Sequence, residues 1–117
     1  MNNIEKGKNG EKVAIEYLMK NGYKILETNY RNKIGEIDII ALYKDIIVFV
    51  EVKSRSSTNY GYAYEAVNFR KQRKIINTSL IYMKYKKIDT FQLRYDIIEV
   101  YFTNSIRVNH IENAFCL

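Results

Sequence analysis

The stretch EIDIIALYKDIIVFVEVKSR, residues Glu36 to Arg55, decides the fold of this chain. Two runs rich in isoleucine and valine flank Tyr43-Lys44-Asp45. The pattern predicts two antiparallel strands, Glu36 to Leu42 and Ile46 to Ser54, joined by a tight turn. The second strand runs apolar from Ile46 to Val50 and then sets Glu51 and Lys53 around Val52. A strand interior is a costly place for charge. Side chains alternate faces, so Phe49, Glu51 and Lys53 share one side, as do Glu36, Asp38 and Ile40 on the partner. With Tyr43 facing Ile46, Asp38 falls opposite Glu51 and Glu36 opposite Lys53, at β-carbon separations of roughly 4.5–5.5 Å. The register rests on the turn, and Lys-Asp is not a favoured two-residue hairpin pair. A slip of one residue would undo the alignment.

Two carboxylates facing each other on an apolar sheet destabilise it unless something neutralises them. A divalent cation would, and Mg²⁺ favours carboxylate oxygens with retained water. Lys53 would then stand beside the cation as a fixed charge, which is the equipment for metal-assisted phosphodiester hydrolysis. The competing reading makes Glu36–Lys53 and Lys53–Glu51 structural ion pairs on a half-exposed face. On spacing alone the two are nearly balanced. Glu11 tips the balance toward the metal, because it lies three residues before Ala14 and seven before Leu18, on the apolar side of a helix, where a third carboxylate could reach the site.

Outward from this hairpin, residues 5–20 read as an amphipathic helix. Val13, Ala14, Tyr17 and Leu18 oppose the stripe Lys8, Lys12, Glu16 and Lys20, and Asn21-Gly22 supplies the stop. Tyr23 to Asn29 is the expected first strand, and residues 56–61 a loop. A second helix is expected from 62 to about 85, with Ala66, Phe69, Ile76, Leu80 and Met83 on one face. Phe91 to Phe102 and Ile106 to Ile111 read as the last strands. The order αβββαββ, with no repeat and no linker, implies one mixed α/β or α+β domain.

The chain has 117 residues, enough for one core and short for two. Its single cysteine, Cys116, excludes an internal disulfide, and no Cys/His cluster suggests zinc. No signal peptide and no membrane-length apolar run is evident, so a cytoplasmic protein without a membrane partner is expected. Net charge is +6, yet between Lys53 and Arg94 ten basic residues face only Glu65 and Asp89. Such polarisation suits a phosphate backbone, with Arg31, Lys33, Arg55, Arg70, Lys71 and Lys74 as candidate contacts; an ordinary solvated helix face fits as well. His110 reads as structural. Asp96 reads as the partner of a basic neighbour, or as support for the site.

GEIDIIA and VFVEVKSR, with KGKNGEKVAIEYLMKNGY, NYR, GYAYEAV followed by Lys71, and RYDIIEV, resemble the YraN family of small bacterial proteins, placed in the PD-(D/E)XK nuclease superfamily. The first helix is also similar to that of archaeal Holliday junction resolvases. The resemblance implies a restriction-endonuclease-like fold, a central mixed β-sheet flanked by helices. It implies Asp38, Glu51 and the Val52 carbonyl as ligands of Mg²⁺ or Mn²⁺, Lys53 as catalytic and Glu11 as an auxiliary ligand. Glu36 and Asp96 are expected, from the residues themselves, to support the site. One departure is Ile34, where many relatives carry a second glycine.

The expectation is therefore a metal-dependent DNA endonuclease, structure-selective in repair or recombination, and a homodimer if it cuts two strands symmetrically. The alternative is a nucleic-acid-binding protein that uses a nuclease scaffold without cutting. A weaker third is a basic face that meets an acidic protein.

Overall fold

A computed structural model of the chain describes residues 2–56, 67–89 and 92–117. Helix α1 (Asn3–Lys20) starts at Asn2, whose side chain accepts a hydrogen bond from the Glu5 amide at 2.8 Å. It ends at Asn21 and Gly22, the latter at φ 87°, where a missing Cβ removes the steric penalty. Strands β1 (Lys24–Arg31), β2 (Glu36–Tyr43) and β3 (Ile46–Arg55) follow as an antiparallel meander. Helix α2 (Phe69–Lys86) then leads to β4 (Gln92–Phe102), which pairs parallel to β3, and β5 (Ile106–Phe115) closes the sheet antiparallel to β4. The sheet order is β1-β2-β3-β4-β5 and the element order αβββαββ, a mixed α/β fold.

The hairpin register is the expected one: Tyr43 pairs with Ile46 and Ile39 with Val50. Lys44 adopts φ 56°, the left-handed conformation that suits the sheet's own twist at the first turn position.

Helix α1 covers one face of the sheet and α2 the other. Ala14 and Leu18, fully buried, pack with Ile39, Ala41, Val48, Val50, Ile98 and Val100. Burying one leucine of this kind contributes about 1.5–3 kcal/mol. On the α2 side, Ile75, Ile76, Tyr82 and Met83 pack with Ile40, Phe49, Tyr95 and Ile97. The strand alternation lapses at Asp38, since Ile37 joins the α2-side cluster and Ile39 the α1-side one.

Helix α2 departs from expectation. Its cap is Asn68, whose side chain accepts from the Lys71 amide at 2.9 Å, so Val67 and Asn68 are not helical and the helix begins at Phe69. The expected start at 62, Ala66, most of the 56–61 loop, and Phe91 at the head of β4 lie outside the described residues. Phe69 and Leu80 are exposed, at 74% and 43%, and the buried stripe is Ile75, Ile76, Thr78, Ser79, Tyr82 and Met83. Two small polar residues lie in that stripe because their hydroxyls have acceptors there: Thr78 donates to the Lys74 carbonyl and Ser79 to that of Ile76. Strand β5 runs on past Ile111 to Phe115, with Asn113 at φ 53° where the β4–β5 register shifts between Tyr95 and Ile97. No helix among the described residues is long and apolar enough to cross a membrane.

Candidate metal and nucleic-acid site

The pairing of β2 with β3 stops at Ile39–Val50, although both strands continue. In the opening beyond, the Asp38 carboxylate takes the place of a main-chain partner and accepts the Val52 amide at 2.8 Å. A residue in an extended strand presents its N–H and C=O along the same edge, so the Val52 carbonyl faces this opening too. Glu51 is buried beside it, and its Oε1 meets two ammonium groups, Lys71 at 2.7 Å and Lys53 at 3.8 Å.

The electrostatics follow from that crowding. Burial, then the Glu51 charge, push the Asp38 carboxyl up to about 7, against the opposing pull of the Val52 amide, while Glu11 adds to the rise. Glu11 is therefore near enough for its charge to be felt. Burial, followed by the Lys71 charge, lowers the Lys53 ammonium, only partly offset by Glu51. Burial pulls Lys71 in the same direction, but its bond to Glu51 and the charge of that carboxylate, with smaller help from Lys53 and Asp38, together outweigh this and hold it above the ordinary lysine value.

Helix α1 reaches the site through Gly10. A Cβ there would stand 1.9 Å from the Ser54 hydroxyl oxygen and 3.2 Å from its Cβ, so any other residue would require Ser54 to give way. Ser54 in turn donates to the Lys6 carbonyl at 3.0 Å. The pair clips the front of α1 to the charged end of β3, one residue from Glu11.

Two carboxylates and a carbonyl edge in one half-buried opening form a donor set that suits a hard divalent cation. Among the described residues, no group of three His, Cys, Asp or Glu side chains stands together as a metal-binding cluster. The close set is Asp38, Glu51, Lys53 and Lys71, with Glu11 at its margin.

Other candidates are placed differently. Glu36 does not face Lys53. With the β2–β3 ladder ended, it turns to β1, where Arg31 stands directly opposite and bonds it at 2.8 Å. Arg55 is not a free surface cation either: its side chain is mostly buried and bonds Glu99 at 3.4 Å, while Asn109 donates to the other Glu99 oxygen at 3.0 Å. Asp96 belongs to the α1 side of the sheet, not to the site. It receives Arg94 at 2.9 and 2.8 Å, His110 Nε2 at 2.7 Å and the Asn113 amide at 2.9 Å. Burial raises its carboxyl, and these bonds, from His110 and Arg94 foremost, outweigh that and hold it below the usual range. His110 also meets the Tyr17 hydroxyl at 3.1 Å, a structural position as expected.

A groove of about 810 Å³ runs from the Arg31–Glu36 turn to the first turns of α2. Arg31, Lys33, Arg70, Lys71, Arg73 and Lys74 line it, with Glu36 the one acidic lining residue among those described. Arg73 and the inward role of Lys71 escaped the sequence reading. Asn68 three residues before Lys71 is an N-cap signal that would have placed the start of α2, and so Lys71 in its first turn.

A family model described as uncharacterised protein family UPF0102 matches residues 10–100. A UPF0102 protein of Clostridioides difficile is 55% identical over 115 residues, covering 98% of this chain and 100% of its own. One from Caldanaerobacter subterraneus is 54% identical over 113 residues, 93% of each chain, and one from Persephonella marina 49% over 112, 96% and 94%. Among solved structures, Pyrococcus furiosus SfsA in complex with Ca²⁺ aligns at TM-score 0.38 and 12% identity, over 92% of this chain and 62% of that one.

Proposed function

The chain belongs to the uncharacterised family UPF0102, and for it we propose a metal-dependent DNA endonuclease of the PD-(D/E)XK kind, acting with Mg²⁺ or Mn²⁺. The observation that carries this reading is the pair Asp38–Glu51 in the opening where β2 leaves β3, with Lys53 and Lys71 on the same glutamate oxygen. Asp38, Glu51 and the Val52 carbonyl would hold the cation, with Glu11 able to assist. When bound, the cation would polarise the phosphoryl oxygen and acidify a water.

The remaining work falls to this chain's own groups. Lys53, with its lowered affinity for a proton, is suited to exchange one with the attacking water or to steady the developing charge. Lys71 holds Glu51 in place and brings positive charge to the scissile phosphate. Arg70, Arg73, Lys74 and the Arg31–Lys33 turn attract the backbone on either side. In a cleavage assay on duplex, flapped, branched and single-stranded DNA, wild-type protein with Mg²⁺ or Mn²⁺ should cut. Asp38→Ala and Glu51→Ala should each fall to background, and cutting that survives either change rejects the reading.

One observation favours a second reading, a nucleic-acid-binding protein that does not cut. Lys71 already neutralises Glu51 without a metal, and no third carboxylate completes a cluster among the described residues. Calorimetry separates the two: no heat with Mg²⁺ or Mn²⁺, together with intact salt-sensitive DNA binding, selects the second.

A further inference from the structure

We propose that the groove beside the site takes an unpaired strand of DNA with one base stacked on Tyr85, an inference that rests on the nucleic-acid reading above and narrows it to substrates with a single-stranded segment. Tyr85, in the last turn of α2, is 81% exposed. It borders a second hollow of about 490 Å³, together with Tyr30, Tyr82, Ile81, Lys33 and Lys86. This hollow has a firm aromatic floor. Tyr30 and Tyr82 meet edge to face at 5.0 Å, and Asn32 donates to the Tyr30 hydroxyl at 3.1 Å. Lys86 stands 5.9 Å from the Tyr82 ring centre.

Arg31, Asn32 and Lys33 line both hollows, which flank this turn where Asn32 donates to the Thr78 carbonyl of α2 at 3.3 Å; the basic hollow beyond it reaches Lys71 and, through it, Glu51. Lys71 and Tyr85 lie about 21 Å apart along α2, at about 1.5 Å per residue, and a strand joining them would cross the cationic Arg31–Lys33 turn that lies between. Cations spaced along a groove with an exposed ring in the same track are what a single strand needs: phosphates meet the charges, and any base offers a face to the ring. In a duplex the bases are stacked and paired, and reaching such a ring would require taking one out of the stack. An acidic protein would satisfy the cations and leave the ring without a matching face.

Fluorescence anisotropy in EDTA tests this without cleavage, using a labelled single-stranded oligonucleotide, its duplex, the same sequence as RNA, and polyglutamate as competitor. Wild-type protein should prefer the single strand. Tyr85→Ala should weaken single-strand binding roughly 5- to 150-fold while leaving duplex binding nearly unchanged, and Tyr85→Phe should stay within about twofold of wild type. Tyr85 projects into solvent, so the fold should survive the change, with melting curves as the check. Equal binding of Tyr85→Ala and wild type to the single strand overturns the inference, as does preference for duplex, tighter binding of the RNA, or polyglutamate competing as well as DNA. If duplex binds and Tyr85→Ala is silent, only the stacked strand falls. If no nucleic acid binds at all, the nucleic-acid reading falls with it.

Discussion

Asp38 and Glu51 are thirteen residues apart in sequence and share one opening in the fold. They were legible because the tight turn fixes the register that brings them near. Strand alternation nevertheless lapses at Asp38 and the ladder ends before it, so the carboxylate meets the Val52 amide and not a paired residue. Asp38 keeps its proton up to about pH 7 in the folded protein and loses it near 4 when unfolded. The folded state therefore binds more protons across that window, and metal-free stability should fall as pH rises from about 4 to 7. Melts in chelator at pH 5 and pH 8 should differ for wild type and differ less for Asp38→Asn. Lys71 was harder to read. Its charge is the same whether it faces phosphate or Glu51, and only the phase of α2, set by Ile75, Ile76, Tyr82 and Met83 packing on the sheet, decides. Removing it as Lys71→Met leaves a buried carboxylate with the more distant Lys53, which should cost about 1–3 kcal/mol in a urea titration. Arg55 misled for a similar reason: nothing local to VFVEVKSR announces Glu99 on a strand more than forty residues later.

Among the elements, α1 was read nearly as it stands, because a long stripe of charge opposite Ala14 and Leu18 leaves one phase. In α2, Ile76 and Met83 are buried as expected, but Phe69 and Leu80 are apolar yet exposed while Thr78 and Ser79 are buried, so hydrophobicity alone placed only part of the face. The parallel placement of β4 on β3 is set by the packing of α2 across the sheet, which strand patterns do not encode. Gly10 governs how closely α1 approaches β3. Gly10→Ala should destabilise the protein by about 1–3 kcal/mol, and Gly10→Ala/Ser54→Ala should recover part of it, because the closest atom, the Ser54 oxygen, is gone. The network on the α1 face is separate from the site. Asp96→Ala would leave Arg94 without its main partner and should cost about 3–5 kcal/mol in denaturant. It should leave Mg²⁺ affinity, read by calorimetry, close to wild type.

For the whole molecule, seven of the ten basic residues counted between Lys53 and Arg94 resolve into three groups. Lys53 and Lys71 serve the site, Arg55 and Arg94 serve internal ion pairs, and Arg70, Arg73 and Lys74 line the groove. A count of charge could find the asymmetry and not this division of labour, which depends on where each side chain ends. If the groove holds a nucleic-acid backbone, replacing Arg70, Arg73 and Lys74 together by glutamine should reduce the slope of log affinity against log salt by roughly 2–3. The hydrogen bond from Val52 to Asp38 has a consequence of another kind. It ties one main-chain amide to the titrating group of the site, so the backbone carries its own indicator. In an amide NMR spectrum of the metal-free protein, the Val52 peak should move with pH about a midpoint near 7 and hold still in Asp38→Asn. Added Mg²⁺ should shift that midpoint down if Asp38 is a ligand, giving a readout of metal binding that needs neither DNA nor cleavage.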